Sequence, residues 1–159
     1  MGNMRRQDRQ VTDAGQIAEI MSGCQILRLA MNTDTVPYIL PVNFGMEPDG
    51  MTLYIHGAMT GTKYEWLEKD PRVSFEMDCE TALELDADQH ECSMAYASVI
   101  GWGIAEEVLE VGEKRHALKR LMGHYRAEDF PYSEAPLPRT RIFKIKVLDR
   151  TAKRRERNC

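Results

Sequence analysis

Residues 72–79, RVSFEMDC, alternate apolar and polar side chains without a break, with Val73, Phe75 and Met77 on one face. A period of two marks a half-buried strand. Four other stretches carry the same signal: Cys24–Met31, Val36–Phe44, Met51–His56 and Arg141–Val147. A longer strand-like run covers 92–109, with a bend or bulge expected at Gly101 and Gly103. Within 36–44, Pro37 and Pro41 remove ladder donors, which suits an edge, a bulge or a barrel rim. Glu47-Pro48-Asp49-Gly50 is a strong turn signal between two of the strands. The helical period of 3.6 is clearest over 113–126, where Ala117, Leu118, Leu121, Met122 and Tyr125 form one stripe. A shorter helix is expected through about Ser22, capped by Thr12 or Asp13 and ended by Gly23. Another, capped by Thr62 or its neighbour, runs to about Lys69, where Asp70-Pro71 stops it. Residues 80–90 are acidic and aperiodic and read as a loop. About six short strands with few helices predict a small antiparallel barrel, α+β and mainly β.

At 159 residues the chain is the size of one domain, and no internal repeat is visible. The organisation read from it is a flexible N-terminus over 1–10, one domain over 11–150 and a solvated basic tail over 151–159. A formal charge of -4 gives no drive for wholesale nucleic-acid binding, and no aromatic-basic interleaving accompanies the tail. No apolar run approaches the ~20 residues that cross a bilayer. The N-terminal MGNMRRQDRQ has no apolar core of a secretory signal, so a cytoplasmic location is the default expectation. The four cysteines form no C-x-x-C pair and are expected to be reduced. Cys79, His90 and Cys92 match no standard zinc spacing, so no metal site is expected.

The segment with most chemistry is Tyr38–Lys63, YILPVNFGMEPDGMTLYIHGAMTGTK. Two strands there lead into a small-residue loop ending in one lysine. Strand backbone on which a flat ring can lie, beside a cationic loop suited to a phosphate, suggests a flavin nucleotide more than a buried hairpin. Lys63, in a Thr/Gly loop opening a helix, is either a phosphate ligand or a solvated helix-start lysine. Asn43 either meets a flavin edge with its amide or stabilises the strand end. His56 is either a cofactor contact and proton source or a packed histidine bonded to backbone. No Ser/His/Asp set, paired catalytic carboxylates or G-x-G-x-x-G loop is present, so in an enzyme of this sequence a cofactor carries the hard chemistry.

Taken in order, MRRQDRQVTD, PVNFG at 41–45, LYIHGA at 53–58, GTK at 61–63, DPRVSFEMD at 70–78 and SVIGWGIAEEV at 98–108 resemble one family. It is the pyridoxamine 5'-phosphate oxidase-like, FMN-binding split-barrel superfamily, and within it the nitroimidazole-resistance-type branch. The resemblance covers roughly residues 4–148. It implies a six-stranded Greek-key split barrel with flanking helices, forming a homodimer with FMN at the subunit interface. Pro41, Val42, Asn43 and Phe44 would then lie along the isoalloxazine ring, and Tyr54, Ile55, His56, Gly57 and Ala58 beside the ribityl chain. Thr62 and Lys63 would hold the phosphate, with Ser98 approaching the same pocket. Two departures stand out. Relatives often carry a basic residue at the position of Ala97 and an arginine at that of Thr62. Fewer cations imply weaker FMN binding, or a deazaflavin or haem in its place. The activity implied is hydride or electron transfer to a small organic substrate, nitroreductase-like or pyridoxamine-phosphate-oxidase-like. The latter enzyme's C-terminal arginine-containing motif is not found. The alternatives are a non-enzymatic flavin or haem store or sensor, and a barrel without ligand acting as an interaction module.

Overall fold

The computed structural model describes residues 4–86, 90–127, 129–131 and 133–156. Among the described residues eight strands are present: β1 (Gln10–Val11), β2 (Leu27–Met31), β3 (Tyr38–Val42), β4 (Phe44–Met46), β5 (Thr52–Gly57), β6 (Arg72–Asp86), β7 (Glu91–Glu107) and β8 (Arg141–Arg155). Three helices accompany them: α1 (Ala14–Gly23), α2 (Thr62–Lys69) and α3 (Val111–His124). All pairings are antiparallel, in the order β3-β2-β6-β7-β8-β5-β4, with β1 attached to β8.

That order carries the main architectural fact. β3 and β4 are separated in the chain by Asn43 alone, yet they occupy opposite edges of the sheet. One residue spans only about 3.3 Å of strand, so the sheet must curl until its two edges approach. The result is an antiparallel barrel left open along the β3/β4 seam. The expected single strand over 36–44 is thereby two strands, which with the short β1 accounts for eight strands where about six were expected. Pro41 lies on the edge strand β3, where its missing donor costs no ladder bond.

Inside the barrel, Leu27 and Leu29 of β2, Phe44 of β4, Phe75 of β6 and Ile145 of β8 are fully buried. Each stabilises the fold by roughly 1.5–3 kcal/mol through removal of its apolar surface from water. A second, smaller core lies outside the sheet, where α3 covers Tyr54, Val108 and Ile142 with Ala117. The helix N-termini are held as the sequence implied in one case and differently in the others. Asp13 accepts from the Gln16 N–H at 2.9 Å and caps α1. Glu110 accepts from the Glu113 N–H at 2.8 Å, so α3 starts two residues earlier than the apolar stripe suggested. Gly61, the neighbour of Thr62, occupies the cap position of α2, and no side chain caps it.

Two further expectations are corrected. Residues 80–86 are not a loop: β6 continues to Asp86 past a bulge between Cys79 and Ala82, where Glu80 has φ 58°. The last strand does not stop near 147 before a solvated tail but runs to Arg155. One cause serves both. Arg154 pairs with Glu80 at 2.8 Å and Arg155 with Glu84 at 2.7 Å, so the acidic run and the basic run offset each other across the sheet. Near the N-terminus, Gln10 and Val11 join the ladder opposite Lys153 and Ala152. What the sequence implied for residues 1–3 and 157–159 lies outside the described residues. The expected irregularity in β7 is present as a register shift between Trp102 and Gly103, where a side chain on Gly103 would come within 2.9 Å of the Lys146 carbonyl carbon. Among the described residues no helix is long and apolar enough to cross a membrane.

Candidate functional site

The loop from Gly57 into α2 closes one end of the barrel beside the seam. Gly61 has φ 150° and ψ 152°, a region open in practice only to glycine, and it turns the chain into α2. No side chain caps α2; the Tyr64 N–H donates to the Gly61 carbonyl at 2.9 Å, which leaves the Thr62 and Lys63 N–H groups to meet an acceptor. Lys63 folds back from this turn, and its Nζ donates to the His56 carbonyl at 3.1 Å. Among the described residues Lys63 has no carboxylate partner, although it is half-buried. Burial accordingly lowers its pKa. The Tyr64 ring is buried and stacks on Phe143 at 5.5 Å, and the Arg141 guanidinium lies beside both rings, 4.6 Å from the centre of Tyr64 and 5.3 Å from that of Phe143.

Two buried polar atoms in this cluster have no hydrogen-bond partner, Tyr64 Oη and His56 Nδ1. Such atoms are rare because each forfeits roughly 1–3 kcal/mol of solvation. Both adjoin Gly57. A Cβ on Gly57 would lie 2.7 Å from Lys63 Nζ and nearer still to Tyr64 Oη, so only glycine lets the ammonium and the hydroxyl converge there. Burial, and then the neighbouring Lys63 charge, pulls the His56 pKa below its ordinary value. The imidazole is therefore neutral at pH 7.

The remaining candidates are placed by register. The β4–β5 ladder ends at the pair Phe44–Ile55, and one step on sets Asn43 across from His56. On the other side of β5, His56 faces Ile142 and Gly57 faces Arg141. Asn43, His56, Gly57, Lys63, Tyr64 and Arg141 thus share one end of the barrel. Pro41 and Asn43 are exposed at the seam, as are Ala58 and Thr62 in the loop, whereas the Val42 side chain packs against the core. Phe44 and Ile55 are buried in that core, and the Phe44 N–H donates to Tyr125 Oη at 3.2 Å. Tyr54 turns the other way, beneath α3, where its hydroxyl donates to Glu47 at 3.0 Å. Ser98 stands apart. It pairs with Lys153, eleven residues along β8 from the Ile142 that faces His56, a contour of roughly 36 Å. Within one chain Ser98 and Lys63 do not share a site.

Tyr64 and Arg141 were not singled out from the sequence. Tyr64 is adjacent to the loop lysine and reads simply as an apolar helix position. Arg141 reaches the cluster only through its register with Gly57, and its guanidinium is held there by Glu107 and Glu68.

A separate groove of about 780 Å³ opens between α1, α3 and the β4–β5 turn. Glu47 lies in its wall, bonded to His116 Nε2 at 2.5 Å and Arg120 at 2.7 Å. Burial pushes the Glu47 carboxyl up, but these donors with Tyr54 outweigh it and bring it below the usual carboxylate range. Trp102 lies on the outer face of the sheet beside a smaller cavity of about 330 Å³ that includes Pro37, Arg72 and Ser74.

Acid should weaken the fold through two histidines. Burial lowers the pKa of His56, and likewise that of His124, whose Nε2 meets the Cys24 carbonyl at 2.8 Å. Unfolded histidine titrates near ~6.5, so below that pH the unfolded chain takes up protons first and stability falls with pH. The urea midpoint should drop between about pH 7 and pH 5, and His124→Gln should blunt that drop. An unchanged midpoint across this window would refute it.

An antiparallel barrel, split along one seam and carrying a cationic loop at its mouth, defines the class of this protein. The sequence profile of the pyridoxamine 5'-phosphate oxidase family matches residues 13–154, and the chain belongs to that family. A candidate 5-nitroimidazole antibiotic resistance protein from Bacteroides thetaiotaomicron is similar in structure, with a TM-score of 0.80 and 28% identity over 91% of this chain and 85% of that one. The flavocytochrome Anf3 from Azotobacter vinelandii has a TM-score of 0.81 at 17% identity, covering 98% of this chain and 73% of its own. A FAD and haem binding protein from Mycobacterium smegmatis has a TM-score of 0.79 at 19% identity, covering 94% and 74%. At such identities the last two support the fold alone. No curated protein matches the sequence.

Proposed function

We propose that this protein binds a flavin nucleotide, FMN, at the β3/β4 seam and uses it to transfer hydride to or from a small organic substrate. The observation that carries the reading is the convergence at Gly57: a half-buried ammonium without a carboxylate, two unpartnered buried polar atoms and an uncapped helix N-terminus. Together these fit the anionic end of a nucleotide. The names of the relatives point the same way, since they include flavocytochrome and FAD-binding proteins.

On this reading Lys63 Nζ would exchange the His56 carbonyl for the phosphate, and the Thr62 and Lys63 N–H groups of α2 would add to it. Val42 and Asn43 on the seam orient the ring through backbone groups and the Asn43 amide. His56, neutral at pH 7, holds a proton on one ring nitrogen and offers the other as an acceptor, which suits a proton relay beside the reacting atoms. Bound flavin supplies the hydride chemistry at its N5. The nitroimidazole-resistance relative makes nitro-group reduction the reading for substrate. We further propose a homodimer, because Ser98 reaches a shared site only from a second copy. Ile39, Ile100 and Trp102 leave an apolar outer sheet face for that copy to cover.

A second reading is favoured by one observation, the neutral His56 with a free Nδ1, which is the form that ligates haem iron. The visible spectrum of the purified protein after addition of FMN, with sedimentation in parallel, separates the two. Two-band flavin absorbance in a dimer supports the first. A Soret band supports the second, and a colourless protein that ignores FMN overturns both.

A further inference from the structure

The bulge in β6 brings Cys79 against the end of α1. There the Cys79 thiol points at the Ile20 carbonyl at 3.7 Å, and the Cys24 thiol donates to that same carbonyl at 3.2 Å. The two sulfurs thus converge on one carbonyl oxygen, within 3.2 Å and 3.7 Å of it. Cys24 is the C-cap residue of α1 and is fully buried, while Cys79 is half-buried. They are far apart in sequence and come from different elements, so the contact is made only by the fold. Gly23 also adjoins the pair, Cys79 Sγ lying 3.7 Å from where a Cβ on it would stand.

The geometry points to a thiol modification site: Cys24 and Cys79 form a reversible disulfide when hydrogen peroxide reaches them. The half-buried Cys79 sulfur attacks one peroxide oxygen. The O–O bond breaks, a sulfenic acid forms on Cys79 and the second oxygen leaves as water. The Cys24 sulfur then attacks the sulfenic sulfur, the S–O bond breaks, the S–S bond forms and a second water leaves. Two electrons pass from the sulfurs to the peroxide, and both thiol protons end in the waters. Burial keeps both groups protonated at neutral pH, so the reduced pair resists mild oxidants.

The backbone at this point can accommodate the closure. Cys79 is the last residue paired in register with β7 before the bulge, and Glu80 beyond it already departs from extended geometry with φ 58°. A bond between Cys24 and Cys79 ties the end of α1 to the long hairpin of β6 and β7, closing a loop of more than fifty residues. Such a cross-link should raise the melting temperature of the oxidised form.

The test uses the full chain carrying Cys92→Ser and Cys159→Ser, so that only the two proposed thiols remain. After treatment with hydrogen peroxide, the intact mass should fall by two hydrogens. Peptide mapping should recover the Cys24–Cys79 link, and dithiothreitol should reverse it. Cys79→Ala should abolish the mass change while leaving Cys24 unmodified. Phenylarsine oxide, which bridges two neighbouring thiols through one arsenic atom, should protect both from alkylation in the folded wild-type protein, so the proximity is tested without any substitution at the pair. Oxygen addition to Cys79 with no link, or unaltered alkylation of both thiols after the arsenical, would overturn the assignment.

Discussion

Lys63→Ala should weaken FMN binding by about 1–3 kcal/mol, roughly 5- to 150-fold, the usual loss when a charged hydrogen-bond partner is removed. Riboflavin, which has the same ring without a phosphate, should bind the variant and the parent alike. That contrast locates the effect at the phosphate instead of the fold. Stability should be little changed, because Lys63 is half-buried without a carboxylate and its removal ends a desolvation cost along with one bond to His56. A second consequence follows at His56. The Lys63 charge is one of two causes of its lowered pKa, so the imidazole should titrate higher in the variant, by NMR of its ring protons. Equal FMN affinity in variant and parent would remove Lys63 from the site.

Gly45→Ala should be a severely damaging substitution. An added Cβ would stand 2.7 Å from the Arg120 carbonyl carbon and the Leu121 Cα, both backbone atoms of α3 that no side-chain rotation can move. The helix must therefore retreat from β4. It would loosen the Phe44–His124 ring contact at 4.1 Å and the Tyr125 hydroxyl, which binds both the Phe44 N–H and the Gln25 carbonyl. Overpacking of this kind costs about 3 kcal/mol, which for a domain of this size lowers the melting temperature by roughly 10 °C. Gly123→Ala on the same helix is the control. Nothing lies within 4 Å of that position, so the better helix former should stabilise by roughly 0.5–1 kcal/mol. Two equal melting shifts would show that the β4–α3 contact is not close-packed.

Much of this was legible in the chain. The alternation over 72–79 and the stripe over 117–125 report local burial, and burial of one face is all that a period of two or 3.6 encodes. Lys63 at the mouth was legible too, because a Gly-Thr-Lys turn opening a helix is a local feature. The continuation of β6 through the acidic run was not. Glu80 and Glu84 look like loop residues until Arg154 and Arg155 lie across from them. Arg141 was hidden for a similar reason, since only its register with Gly57 takes it to Tyr64. Ser98 shows the reverse. In the family resemblance it approaches the cofactor pocket, yet register places it far along β8 from His56.

By itself the sequence determined which segments are strands and helices, where the Glu47–Gly50 turn falls, and that a lone lysine opens α2. Those are matters of dihedral preference and one-sided burial within a few residues. Tertiary structure decided that β3 and β4 part at Asn43 to opposite edges, that Lys63, His56 and Tyr64 converge over Gly57, and that two distant thiols meet at one carbonyl. Pairing register is set by the whole sheet closing on a shared core, and no local run of residues contains it.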